Sequence, residues 1–459
     1  MRSAVSSGLW FRSARFVASA VIAAAAMAAT WPAVVAAQKP AADARQVTFT
    51  KDVAPILQRS CVTCHRPGEM APMSLMTYDD ARPWARAIKT RVESREMPPW
   101  HIDRNIGLQQ FKNDPSLSDE EIETIVKWVD ANAPRGNPAD MPPARQFEDA
   151  SQWQIGKPDL IVKYPAYTVP AAGPDLFGSL YAPSGLADDR YIKAIQTRPV
   201  GAGTRKVVHH ALTFAVEPDA NTQSNGDDSV SDGGQFLVEY ASGKNSEIYP
   251  EDSGVLLQAD RKLKVDYHLH SVGEEVKAEI EVGMVFYPKG FVPQHVRWSK
   301  QIAQPNTPLD IPAGGLVRRD GYQKFYKAAR ITAFQPHMHI RGKAQCLELI
   351  YPNASTEVVS CAHFNYNWHL TYNYADDVAP LIPAGTILHV ISWHDNSAAN
   401  RFNPDPRNWV GDGQRTIDEM GFSWIGWYDL TDAEYKQEWE SRKALQPKKN
   451  TATGQQHQQ

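Results

Sequence analysis

The chain has 459 residues, a formal net charge of -4, 42% hydrophobic residues and 22% charged ones. That composition excludes a disordered chain, and the lack of a basic block or a one-sign charge field argues against nucleic acid or a membrane surface as partner. The length allows two to three domains, and the many Trp, Tyr and Pro residues point to a β-rich, turn-rich body.

The first element is an address label. Arg2, Arg12 and Arg15 precede an Ala-rich apolar stretch from Phe16 to about Ala29, and Val35-Ala36-Ala37 offers a small-x-small cleavage site. Residues 1–37 therefore read as a signal peptide and 38–46 as a linker. No Cys follows the cleavage site to carry a lipid, and no second long apolar run occurs downstream. The mature protein is expected in the periplasm or outside the cell, with no stable membrane span.

Residues 47–140 alternate helical signals with loops. They hold Cys61-Val-Thr-Cys64-His65. Two thiols one helical turn apart can add to both vinyl groups of a haem, and the following His is placed to bind the iron. Met97, fixed before two prolines in Glu96-Met97-Pro98-Pro99-Trp100, is the expected sixth ligand, with His101 as fallback and Met70, Met73 and Met76 as competitors. Ser118 and Glu121 form a capping box for a helix whose Ile122, Ile125, Val126 and Val129 share one face. The segment resembles a class I-type cytochrome c. The resemblance implies a small all-α domain carrying one covalent haem c.

Residues 139–151 are Pro-rich and polar, a boundary. From about 155 to 430 the pattern changes to short alternating apolar runs, broken by Pro, Gly, Asn and Asp, which predicts antiparallel sandwiches. Two β domains are expected, at 155–305 and 306–440, with a polar loop at 218–234 and a disordered tail at 441–459. Cys346 and Cys361 flank a hairpin-like stretch turning at Pro352-Asn353-Ala354-Ser355, which sets them opposite each other at disulfide distance in an oxidising compartment.

The remaining chemistry lies in histidine. His337 and His339 stand two apart, so on a strand both rings reach one metal. His209 and His210 are adjacent and would face opposite sides unless a strand end, twist or bulge intervenes. Imidazole suits copper, and a thioether selects Cu(I). The ordered set His209-His210, His268, His337-x-His339 and Met420 resembles the type II copper, ascorbate-dependent monooxygenases, the family of peptidylglycine α-hydroxylating and dopamine β-monooxygenases. The supporting segments Trp393–Ser397, Asn403–Pro406 and Val410–Met420 look like its bacterial members.

The resemblance implies two jelly-roll-like β domains, each with one copper. His209, His210 and His268 would hold the electron-storing ion. His337, His339 and Met420 would hold the catalytic, O2-binding one. Leu269 and His270 depart from the family pattern, so either His268 or His270 can be the third ligand. His295, His363, His369, His389 and His394 take no family role and read as structural, with His394 near the Met-bearing segment. No Arg/Tyr arrangement suits a peptide carboxylate.

The expected protein is thus a multidomain copper monooxygenase with two coppers and a haem c. It would hydroxylate an aliphatic C–H of a small organic substrate with O2, fed by a cytochrome, a quinol-linked protein or a small reductant. The rival reading is a copper/haem electron-transfer or copper-handling protein without oxygenase activity.

Overall fold

The computed structural model describes residues 45–67, 69, 71–112, 114–147, 152–219, 234–241, 246–302, 309–413 and 415–445. The signal peptide, most of the linker, Met70, most of the polar loop and residues 446–459 lie outside these. From Gln46 on, the chain clusters as one unit.

At the N-terminal end, the helices Ala54–Ser60, Tyr78–Ala81, Ala85–Glu93 and Asp119–Asp130 bury a cluster around Phe49, Leu57, Ile125 and Trp128. The capping box forms as the sequence requires: Ser118 Oγ accepts from Glu121 N–H at 3.2 Å, and Ser118 N–H donates to Glu121 Oε2 at 3.0 Å. On that helix Ile125 and Trp128 are the buried residues, and the Trp128 indole donates to the Pro134 carbonyl at 3.1 Å.

Among the described residues, however, no separate all-α cytochrome c domain is formed. After Ala85–Glu93 the chain leaves its helices and forms the strand Ile102–Gly107, which pairs antiparallel with Thr356–His363 at the edge of the distal sheet. Ile102, Phe111 and Trp100 pack into the core of that distal part, with Trp100 edge-on to Tyr372 at 4.9 Å. The physical reason lies in the helices. They are short, of 7, 4, 9 and 12 residues, and their cluster leaves the apolar side chains of residues 100–111 to be covered elsewhere.

The β body is present, but not as two independent jelly-roll sandwiches in succession. A single long sheet runs through both expected halves. Its link is His295–Ile302, which pairs in parallel with Ser253–Leu257 on one side and antiparallel with Gly421–Leu430 on the other. A four-stranded sheet (Leu176–Pro183, Lys262–Leu269, Val208–Val216, Gln235–Ala241) covers one end of it. Ile102–Gly107, Thr356–His363, Gly342–Ile350, Ile387–Asp395 and Leu316–Lys324 make the sheet that covers the other. Separate apolar cores fill the two ends. One shared layer thus serves two sandwiches.

Cys346 and Cys361 stand opposite each other in the ladder and are disulfide-bonded, their Cα atoms 4.1 Å apart. The turn between them is closed by Tyr351 N–H to Ser355 O, with Ala354 at φ +64°. With a sequence separation of 15, the bond removes about 3 kcal/mol of loop entropy from the unfolded chain. A Cys346→Ser, Cys361→Ser protein should lose about that much in a urea titration, and an unchanged midpoint would contradict the role. Among the described residues no helix is long and apolar enough to cross a membrane.

Candidate metal centre

The His209 problem is solved by a bulge. His268 pairs with His210 and Leu269 with Val208, so His209 is left without a partner in the ladder. The extra residue swings its ring to the side of its neighbour. His209, His210 and His268 each present a ring nitrogen, and these atoms lie within 4.8 Å of one another. His268, and not His270, completes this trio; His270 is held by its backbone N–H to Val207 O at 2.9 Å. The His268 ring stacks on Phe177 at 4.3 Å and donates from Nε2 to Asp175 at 2.8 Å. That bond fixes the tautomer and turns Nδ1 inward.

The second set is built by strand register. His337 lies opposite Phe422 and Met338 opposite Gly421, so Met420 enters the neighbouring strand beside His339. His337 stacks on Phe422 at 4.5 Å and stands 5.7 Å from His339, between ring centres. His339 donates from Nδ1 to the Asp418 carbonyl at 3.2 Å, which leaves Nε2 as the lone-pair nitrogen. His394 donates from Nε2 to the Met420 carbonyl at 2.9 Å.

Sequence reasoning missed the residue that organises this second set. Glu419 is wholly buried and accepts from the backbone N–H groups of His339, Arg341 and Met420, the last two at 2.9 Å. Arg341, also buried, donates to Asn396 Oδ1 and to the Ile417 carbonyl, both at 2.9 Å. Asn396 in turn donates to the Pro312 and Asn408 carbonyls, and Asn403 donates to Asn396 O. The segments around 393–397 and 403–406 are therefore the brace of the Met420 strand. The available signal was an acid beside Met420 at the mouth of an apolar strand.

The two sets do not face each other across an open gap. Gln335, two residues before His337, donates to the buried Glu239 of the opposite sandwich and accepts from Thr371 Oγ1 at 2.6 Å. The Gln335–Glu239 bond ties the halves together. His369 falls between the sets, its ring 5.2 Å from His210 and 5.0 Å from His337. A cavity of about 1090 Å³ opens beside them, lined by His210, His337, His339, His369 and Met420 and walled by Phe214, Phe422 and Trp424.

The donor set fits a soft or borderline metal. Nδ1 of His209, His210, His268 and His369 is buried with no hydrogen-bond partner. Each such orphan costs about 1–3 kcal/mol unless something binds it. Burial also keeps the rings neutral, the form that ligates. It pushes His209 down to about 4, His339 to about 4 and His337 to about 3, and His210 and His369 well below the usual range.

The C-x-x-C-H motif sits at the end of Ala54–Ser60. Cys61 and Cys64 are free thiols, and burial pushes the Cys61 thiol up to about 12. His65 donates from Nδ1 to the Met73 carbonyl at 3.2 Å, which leaves Nε2 for an iron. These residues fit an attached haem. Met73 and Met76 pack against the cluster beneath the motif; Met97 lies at the turn after Ala85–Glu93, its N–H on the Arg91 carbonyl. His101 sits at the seam with the distal sheet, its Nε2 buried and unpartnered. A largely buried ion-pair chain ties the motif to the segment leading into the His209 strand: Arg66 to Glu69 at 2.7 Å, and Glu69 to Arg205 at 3.3 Å, four residues before His209.

No family model matches the chain, and no curated protein matches it. Among solved structures, it is similar to the major capsid protein P2 of bacteriophage PM2, with 8% identity, 59% of this chain and 96% of that chain covered, and a TM-score of 0.23. Against N-glycanase F (PNGase F) the values are 10% identity, 59% and 96% coverage, and a TM-score of 0.24. Against allantoicase they are 8% identity, 48% and 77% coverage, and a TM-score of 0.16.

Proposed function

We propose that this chain is a copper-dependent monooxygenase that hydroxylates an aliphatic C–H of a small organic substrate with O2, drawing electrons through a covalently attached c-type haem. The observation that carries the reading is the closeness of two largely shielded histidine sets, one of them with a thioether, with His210 of the first and His337, His339 and Met420 of the second lining one cavity. His209, His210 and His268 would hold one copper, and His337, His339 and Met420 the other. Cys61, Cys64 and His65 would attach and ligate the haem, with Met97 as the further residue that would hold its iron. Two coppers so held would supply the one-electron steps and O2 activation that oxygen insertion needs. The haem would give electrons a point of entry.

The chain's own residues supply the rest. Phe214, Phe422 and Trp424 offer an apolar wall that would hold an aliphatic substrate and keep water out. Glu419 and Arg341 fix the backbone that carries His339 and Met420. The Arg66–Glu69–Arg205 chain would set the haem motif against the His209 strand. The expected location is the periplasm or the exterior, and the donor a cytochrome, a quinol-linked protein or a small reductant.

The test is metal content. Protein matured in a host that attaches c-type haem should bind two coppers per iron, and Met420→Ala or His339→Ala should bind one. A single copper, or none, in the wild type would sink the oxygenase reading. Replacing His65 should abolish turnover while both coppers remain; unchanged turnover would remove the haem from the electron route. The rival electron-transfer or copper-handling reading draws on the closeness of the two sets. The cavity weighs against it, since a carrier has no need of a substrate-sized space.

A further inference from the structure

His369 is the one member of the histidine cluster that the sequence leaves without a role. It lies on the loop between Thr356–His363 and Tyr372–Asn373. The loop is pinned to the second set, with Tyr366 hydrogen-bonded to Thr416 at 2.9 Å and Thr371 to Gln335 at 2.6 Å. The His369 side chain is about as buried as a core residue, at 6% exposure, and its Nδ1 finds no partner.

A structural histidine in this same fold looks different. His389 is equally buried, and both its nitrogens are taken, by Glu348 at 2.8 Å and Asp320 at 2.6 Å. His369 faces imidazoles instead of carboxylates. Its ring stands 5.0 Å from His337, 5.2 Å from His210 and 6.2 Å from His209. A nitrogen ligand sits about 2 Å from its metal, so two imidazoles on one ion have ring centres roughly 4.5–5.5 Å apart. By that measure His369 is at ligand-sharing distance from both sets. Within the first trio the same spacings are 4.8, 5.1 and 5.5 Å.

We propose that His369 is a seventh metal ligand, lying between the two sets so that they form one continuous centre. This rests on the copper reading above and deepens it. Its unpartnered Nδ1 would bind one ion, and the same ring would stand beside the imidazoles of the other set.

The experiment compares wild-type protein with His369→Ala and His369→Gln, all haem-loaded and titrated with copper against a competing chelator. Cu(II) paramagnetic resonance is recorded alongside. The expected result is a loss of at least tenfold in affinity for one copper, with a changed spectrum for that ion. The metal-free variants should keep the wild-type circular dichroism, since the histidine satisfies no hydrogen bond at Nδ1 that folding relies on. Wild-type affinity and spectra in both variants would overturn this inference and leave the proposed function standing. A wild type that takes up no copper would overturn both.

Discussion

Metal-free protein should lose stability steeply as the pH falls from about 6.5 towards 4. His209, His339 and His337 are held down to about 4, 4 and 3 by burial, against 6.5 in the unfolded chain. Between those values the unfolded chain takes up protons that the folded one refuses. Their contribution is therefore complete above pH 6.5 and is lost on acidification, at up to about 1.4 kcal/mol per pH unit for each ring. Glu419 acts with the opposite sign. Burial raises its carboxyl to about 7 against 4.5, so its share is complete below pH 4.5 and is lost as the pH rises through 7. Several imidazoles, with His210 and His369 behind them, outweigh one carboxyl. Urea midpoints across this range would show it. A flat profile between pH 6.5 and 5 would mean that the histidines are open to solvent.

Glu419→Ala should be among the most damaging single changes outside the proposed ligands. It strands three backbone N–H groups in a buried site, each at about 1–3 kcal/mol, so a loss of at least about 3 kcal/mol is expected. Two of those N–H groups belong to His339 and Met420. The copper of that set should be lost with little effect on the ion at His209, His210 and His268. Glu419→Gln keeps the shape and one acceptor oxygen and should fall in between. The measurement is copper per chain together with the denaturation midpoint. An Ala variant that keeps both coppers and its stability would show that the carboxylate organises nothing.

Much of the local structure was legible. The Ser118 capping box, the Cys346–Cys361 pairing and the need for a bulge at His209 all follow from short-range geometry, which sequence spacing encodes directly. The architecture was not. Ile102–Gly107 is a largely polar stretch with one buried residue, and its pairing is decided by Thr356–His363 far along the chain. The shared sheet depends on a parallel pairing of only two residues on each strand, His295 and Val296 with Ser253 and Gly254, which no hairpin signal announces. His369 sits in a loop, Asn365–Leu370, with no periodicity to give its direction. Glu419 looked like any acid at a strand mouth, because its worth lies in backbone amides that come from 80 residues away.

The seam at Ile102–Gly107 also orders events during biosynthesis. Its partner strand is made long after it, and contacts so distant in sequence close late because the loop between them must first be ordered. Gly107 turns at φ +65° against the Val359 carbonyl, an approach that no larger residue could make. Until that edge docks, Trp100, Ile102 and Phe111 have no core to enter. The late strand therefore acts as a clock: the N-terminal helices can pack among themselves early, but the stretch that follows them stays open until the far end of the chain has been made.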